Sequence, residues 1–192
     1  MPATFLVSDP HFGHSGTCRF LRDDGITKLR PWTDVDEMDE AMVAAWNERV
    51  NPLDKVYVLG DVVISSKKFP ILDRLNGDKI LIKGNHDIFK LEDYSKYFRD
   101  IRAYHVLNGM ILSHIPLHPE SLHRFGTNIH GHLHDKRVRL PDGEIDVRYQ
   151  NVCVEQTPDF APILFDDVIK RILYEGGQVG FREGTYGNGS TK

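Results

Sequence analysis

Three short apolar runs in this chain each lead straight into residues that bind metal ions well. Thr4-Phe5-Leu6-Val7 is followed by Asp9 and His11, Val56-Tyr57-Val58-Leu59 by Asp61, and Ile80-Leu81-Ile82 by Asn85 and His86. Runs of this length read as short buried strands. In α/β sheets, ligands gather just outside the carboxyl ends of the strands, so the three runs fit one shared site. Gly60 and Gly84 let the backbone turn as it leaves its strand, a structural role that carries no evidence for catalysis.

Between the first two runs lies the clearest helix. Asp34 caps it, Glu37 follows three residues on, and Val35, Met38, Met42, Ala45, Trp46 and Val50 share one face. A Met and Trp stripe at that spacing is core packing. Asn51-Pro52 ends this helix, and a second is expected over residues 70–76, closed by Gly77. Residues 104–112 carry a hairpin signal centred on Asn108-Gly109, whose return strand leads to His114. Asp142-Gly143 marks a turn before an expected strand over residues 145–154.

Two further motifs complete the set, Ser113-His114 and Gly131-His132-Leu133-His134. In Asp9-Pro10-His11 and His132-Leu133-His134 the candidate ligands stand two apart, a spacing that puts both side chains on one face of extended backbone. Pro10 supports that reading by biasing Asp9 away from helix. Carboxylates, imidazoles and a carboxamide form a mixed donor set suited to a pair of divalent ions. Such a pair, about 4 Å apart, binds phosphoryl oxygens and lowers the pKa of a bridging water.

The ordered motifs Asp9-Pro10-His11, Gly60-Asp61, Gly84-Asn85-His86-Asp87, Ser113-His114 and Gly131-His132-Leu133-His134 resemble the signature of the calcineurin-like metallophosphoesterase superfamily, in its small, uncapped bacterial and phage form. The resemblance runs from about residue 4 to residue 154. It implies a four-layer α/β/β/α sandwich, two mixed sheets packed face to face with helices outside and a dimetal site at the strand ends. It assigns one metal to Asp9, His11, Asp61 and His134, and the other to Asp61, Asn85, His114 and His132, with Asp61 bridging. His86 is then the proton donor to the leaving group, a task imidazole suits because its pKa lies near neutrality. The implied activity is hydrolysis of a nucleotide or nucleic-acid phosphodiester by a metal-bridging hydroxide. Manganese is the implied activator, and iron, zinc, nickel and cobalt also suit the donors. The alternatives are a phosphomonoesterase and a metal-stabilised interaction scaffold without turnover. Residues 62–65, Val-Val-Ile-Ser, stand where protein phosphatases of the superfamily carry an Asp-Arg-Gly element, which counts against that substrate class.

Other residues have weaker claims. His14, in a D-x-H-F-G-H pattern, is a candidate phosphate contact, as is Arg30 in an R-P-[FW] element, with surface pairing its bland alternative. His118, His123 and Arg124 flank the segment after His114 and are candidate substrate contacts. His130 shares the spacing of His132 and His134, yet packing is the expected role, as it is for His105. Lys136-Arg137-Val138-Arg139 reads as a solvated charged strand.

At 192 residues the chain fits one domain, expected over residues 1–175, followed by a Gly-rich tail over residues 176–192 expected to be flexible. The formal charge of −4 argues against a surface built for nonspecific nucleic-acid binding. Cys18 and Cys153 are far apart and suggest no disulfide framework. No signal peptide or membrane-length apolar run is visible, and no obligate protein partner is evident, so a cytoplasmic location is expected.

Overall fold

The computed structural model describes residues 2–182. The three apolar runs become β1 (Thr4–Val7), β2 (Lys55–Val58) and β3 (Asp78–Ile82), which pair in parallel. Together with β4 (Asp100–Arg102), parallel to β3, and β9 (Ile163–Leu164), antiparallel to β1, they make a mixed sheet of order β4-β3-β2-β1-β9. A second mixed sheet has the order β5-β6-β7-β8, from β5 (Tyr104–Leu107), β6 (Met110–Ser113), β7 (Asn128–His130) and β8 (Tyr149–Asn151). The β5–β6 hairpin turns on Asn108 and Gly109, both at positive φ, as a tight two-residue connection requires.

Alternation along the strands divides the first sheet between two cores. Phe5, Val7, Val56, Val58 and Leu81 face Met38, Met42 and Trp46 of α1 (Val35–Arg49). Leu6, Tyr57, Ile80 and Ile82 face Met110, Leu112 and Ile129 of the second sheet. The helix begins where the sequence predicts, with the Asp34 carboxylate accepting from Asp36 N and Glu37 N. The protein is thus an α/β fold of two mixed sheets flanked by helices.

Several elements differ from the sequence reading. The outer face of the second sheet is covered by Leu117, Leu122 and Phe125 of the β6–β7 connection and by Val138, with a 3₁₀ turn (Pro119–Leu122) in place of a full helix. Pro116 and Pro119 in that connection deny it the backbone donors a longer helix needs. The helix expected over residues 70–76 is a 3₁₀ segment, Ser66–Arg74, with Pro70 inside it. Within the strand expected over residues 145–154 only β8 forms a strand: Ile145 and Cys153 make isolated bridges to Arg139 and Ser8, Asp146 closes a local turn with Arg148, and Val154 opens a further 3₁₀ turn. β9 and the helix α3 (Phe165–Tyr174) went unforeseen; Phe165, Val168 and Ile172 fill the core between the sheets. A short helix, α2 (Leu91–Tyr94), follows the third motif.

The expected tail divides. Residues 183–192 lie outside the described residues, whereas residues 177–182 make specific contacts. Val179 packs on the inter-sheet core, Thr127 Oγ1 donates to Gln178 O at 2.8 Å, and Arg182 Nε donates to Phe125 O at 2.8 Å. Among the described residues, no helix is long and apolar enough to cross a membrane.

Candidate metal centre

The carboxyl ends of β1, β2, β3, β6 and β7 converge, and the candidate ligands follow them directly. The sheets are laced together at this end by Ser8, whose N–H donates to Val152 O and whose carbonyl accepts from Val154 N, each at 3.0 Å. Two clusters result. The ligand atoms of Asp9, His11 and His134 all lie within 4.8 Å of one another, and so do those of Asp61, His114 and His132. Either cluster can hold a metal ion. Asp61 Oδ2 lies 3.6 Å from His11 Nε2 and 3.4 Å from His114 Nε2, so one carboxylate oxygen faces both clusters. Asn85 Oδ1 is 2.8 Å from His114 Nε2, on the second cluster's side.

The backbone that presents these groups is strained. Asp9, His11, Asp61, His132 and His134 all have φ between 51° and 68°. Non-glycine residues in this region cost on the order of 1–3 kcal/mol each and persist where surrounding structure over-determines them. This corrects the sequence argument for the two-residue spacing. Asp9 and His11, like His132 and His134, are presented from left-handed rather than extended backbone. Pro10 still excludes right-handed helix at Asp9.

Close approach explains the neighbouring glycines. A Cβ at Gly84 would collide with the Asp61 carboxylate, and one at Gly131 with the side chains of Ser8 and Asp9. No side chain larger than hydrogen fits where the two loops meet.

Buried polar groups hold the ligands. The Asp87 carboxylate, fully buried, accepts from Asp61 N at 2.8 Å, Val62 N at 3.0 Å and Gly84 N at 2.8 Å, tying the second loop to the third. Asp61 Oδ1 accepts from His86 N at 2.8 Å, which leaves Oδ2 to the clusters. Asp9 Oδ2 accepts from Ser8 Oγ at 2.6 Å and from His132 N at 2.8 Å, and the Cys153 thiol lies 3.2 Å away. Burial first, and then the Asp9 charge, push that thiol well up, so it stays a donor. Glu155, also buried, accepts from His134 Nδ1 at 3.0 Å and so fixes which ring nitrogen faces the first cluster.

The electrostatics fit a cation site. Burial works to raise the Asp9 and Asp61 carboxyls, yet the neighbouring imidazoles, His11 and His114 respectively, outweigh it and hold both below the usual range. Burial works to lower the pKa of His114 and His134, but Asp61 and Glu155 respectively outweigh it and raise both above the usual imidazole value. Meanwhile Asp9 Oδ1 and His11 Nε2 are buried without a hydrogen-bond partner, although Nε2 lies 3.4 Å from that same oxygen. Buried polar atoms left unpaired are costly, and a divalent cation would satisfy both at once. The residues present fit such an ion.

His86 lies exposed at the mouth, its ring centroid 5.6 Å from that of His11. His14 borders the first cluster, with ring centroids 5.5 Å apart from His11; burial, then the nearby His11, lower its pKa to about 4. Arg30 differs from both expectations. It is fully buried, donates to Asp9 O and Pro10 O at 2.7 Å each, and pairs with Glu155 at 2.8 Å, so it positions the first loop and meets no solvent phosphate. His118 accepts from Glu120 N, the His123 ring meets Glu120 O, and Arg124 lies over the Phe125 ring, contacts that shape their own turn. His130 is buried against Tyr149 with Nδ1 on Gly131 O. Lys136 and Arg137 are spoken for by Asp23 and Glu175.

Sequence reasoning missed Ser8, Glu155 and Cys153 as supports and gave Asp87 no role. Only Asp87 had a legible signal, its place at the end of Gly84-Asn85-His86-Asp87; Glu155 belongs to no motif.

No protein-family model matches the chain. It is 32% identical over 186 residues to an uncharacterized protein of Methanocaldococcus jannaschii, MJ1445, a match covering 93% of this chain and 95% of that one. The chain belongs to the same family as that archaeal protein. The Gene 66 protein of Mycobacterium phage L5 is 35% identical over 94 residues, covering 45% of this chain and 41% of its own. Among solved structures, the protein of unknown function AQ665 from Aquifex aeolicus superimposes with a TM-score of 0.65 at 25% identity, over 89% of this chain and all of that one. An archaeal phosphodiesterase gives a TM-score of 0.42 at 18% identity, over 77% of this chain and 81% of its own.

Proposed function

We propose that this family member is a binuclear metallophosphoesterase of the calcineurin-like type that cleaves phosphodiesters, those of nucleotides or nucleic acids foremost. The observation that carries this reading is the Asp61 carboxylate oxygen facing both clusters, at 3.6 Å and 3.4 Å from imidazole nitrogens of each. Asp9, His11, Asp61 and His134 would hold one divalent ion, and Asp61, Asn85, His114 and His132 the other, manganese being the favoured metal. When bound, such a pair supplies Lewis acidity toward phosphoryl oxygens and a more acidic water.

The chain's own residues do the rest. His86, whose ring has no hydrogen-bond partner among the described residues, stands at the mouth where it can hand a proton to the departing alkoxide oxygen. Its backbone N–H meanwhile keeps Asp61 turned toward the clusters. The Asn85 carboxamide is placed beside the second cluster to help fix charge developing on the phosphoryl group. Arg30 and Glu155 lock the Asp9 loop and the His134 ring, so that little reorganises as the reaction proceeds. A diester is favoured over a monoester because Arg30, the obvious cation for a dianion, is committed to Glu155 and backbone carbonyls.

Two measurements test the proposal. Manganese-reconstituted protein should contain two ions per chain, and Asp61→Asn should weaken both, since one carboxylate serves both. It should also cleave bis(p-nitrophenyl) phosphate with a higher kcat/KM than p-nitrophenyl phosphate. A stoichiometry of one, or loss of only one ion in the variant, overturns the bridging assignment. A clear monoesterase preference overturns the substrate class.

A further inference from the structure

A cleft of about 880 Å³ opens beside the second cluster, and Asn85 and His114 form part of its wall. The remainder is mostly apolar, with Leu91, Ile101, Ile111, Ile115, Leu117 and Phe125 among the lining residues. Large side chains usually hide from water, yet Leu91, Ile115 and Tyr104, which also lines the cleft, are 56%, 49% and 59% exposed. Apolar walls that meet a polar reacting centre are typical of sites that bind a small organic group and fix it by a few polar contacts.

The wall offers little to read the edge of a bound group. Ser113 Oγ already donates to Ile115 O and accepts from Asn128 Nδ2, and the Arg102 guanidinium is taken up by Asp100 and His105. Lys83 alone among the described cations of the cleft has no ion-pair partner. One cation suits the anionic end of a ligand, whereas a polymer backbone needs a track of them.

Building on the phosphoesterase reading, we infer that this cleft receives one ester arm of the substrate, a ring-sized apolar or aromatic group held by its faces. The substrate class is therefore a small phosphodiester with one such arm, its phosphoryl group beside Asn85 and His114. A polymer tracked along its backbone does not fit this wall. Recognition of the ring should rest mainly on these apolar faces, with the Tyr104 and Ser121 hydroxyls and the Lys83 ammonium the polar groups along the wall.

The test uses two phosphonates without a cleavable ester, phenylphosphonate and methylphosphonate, titrated calorimetrically into manganese-loaded full-length protein. Wild type should bind the phenyl compound on the order of 10- to 100-fold more tightly, the scale for burying a ring-sized apolar group. Ala103→Trp, at an exposed position lining the cleft, should fill it and bring that ratio near one while leaving methylphosphonate binding unchanged. Ile115→Gln, which removes apolar wall at another exposed position, should shrink the ratio as well. A ratio near one in wild type, or a ratio untouched by both variants, overturns the assignment. Manganese content and diester turnover, measured on the same preparations, report separately on the phosphoesterase reading. A wild-type ratio near one with both of those intact rejects the cleft alone.

Discussion

Asp87 offers a demanding test, since the structure gives it no contact with a candidate metal and yet makes the site depend on it. Its buried carboxylate accepts three backbone N–H groups, Oδ2 taking Asp61 N and Gly84 N and Oδ1 taking Val62 N. In Asp87→Asn the carboxamide oxygen can keep the pair from Asp61 and Gly84, but its amino group must then oppose Val62 N–H. That swaps one charge-assisted bond for two facing donors, a loss of about 2–3 kcal/mol. For a domain of this size the melting temperature should fall by roughly 4–12 °C. Asp87→Ala orphans all three donors and should fall at least twice as far, toward loss of the folded state given a total stability of about 5–15 kcal/mol. Because the same bonds hold the loops carrying Asp61 and Asn85 together, Asp87→Asn should also bind manganese more weakly. Thermal melts of chelator-treated protein, followed by manganese titration, read both effects. An Asp87→Asn protein melting within about 1 °C of wild type, with unchanged manganese affinity, would falsify the idea that this carboxylate organises the centre.

Two other outcomes follow from the same geometry. His86→Gln should retain both metals, lose little activity on bis(p-nitrophenyl) phosphate, whose leaving group departs unprotonated, and lose about 100-fold or more on a nucleotide diester; equal losses on both, with chemistry limiting, would make His86 a positioning group, and loss of a metal would make it a ligand. His105 links the sheets, its ring meeting Tyr57 OH at 3.1 Å and accepting from Arg102, so it is neutral in the fold; burial first and then Arg102 hold its pKa below the usual 6.5. A base depressed in the fold binds fewer protons there than in the unfolded chain, so this contribution is present above pH 6.5 and declines as the pH falls below it. His105→Gln should flatten part of that decline in melts of chelator-treated protein between pH 8 and pH 5, and an identical slope in both proteins would refute the assignment.

How much of this was legible in the chain can be read from particular residues. The apolar runs before Asp9, Asp61 and Asn85 announced β1, β2 and β3, because a buried strand needs little more than a short apolar run and a turn to end it. Asp34 announced α1 and Asn108-Gly109 the hairpin, since capping and tight turns are settled by residues adjacent in sequence. The candidate ligands were legible as well, each standing at the end of a run or in a two-residue pair. The sequence by itself thus determined which side chains arrive at the site and on which elements. Only the tertiary structure decided how they are held. The left-handed turns at Asp9, His11, Asp61, His132 and His134 are imposed by partners such as Arg30, 21 residues from the Asp9 carbonyl it binds, and Asp87, 26 from the amide of Asp61. Glu155 reaches His134 and Arg30 across 21 and 125 residues. The apolar cleft, too, gathers its walls from β4, β5, β6 and the loops around them. Such supports leave no local pattern, because a buried charge needs only a partner in space, and the chain reveals which partner when the sheets close on one another.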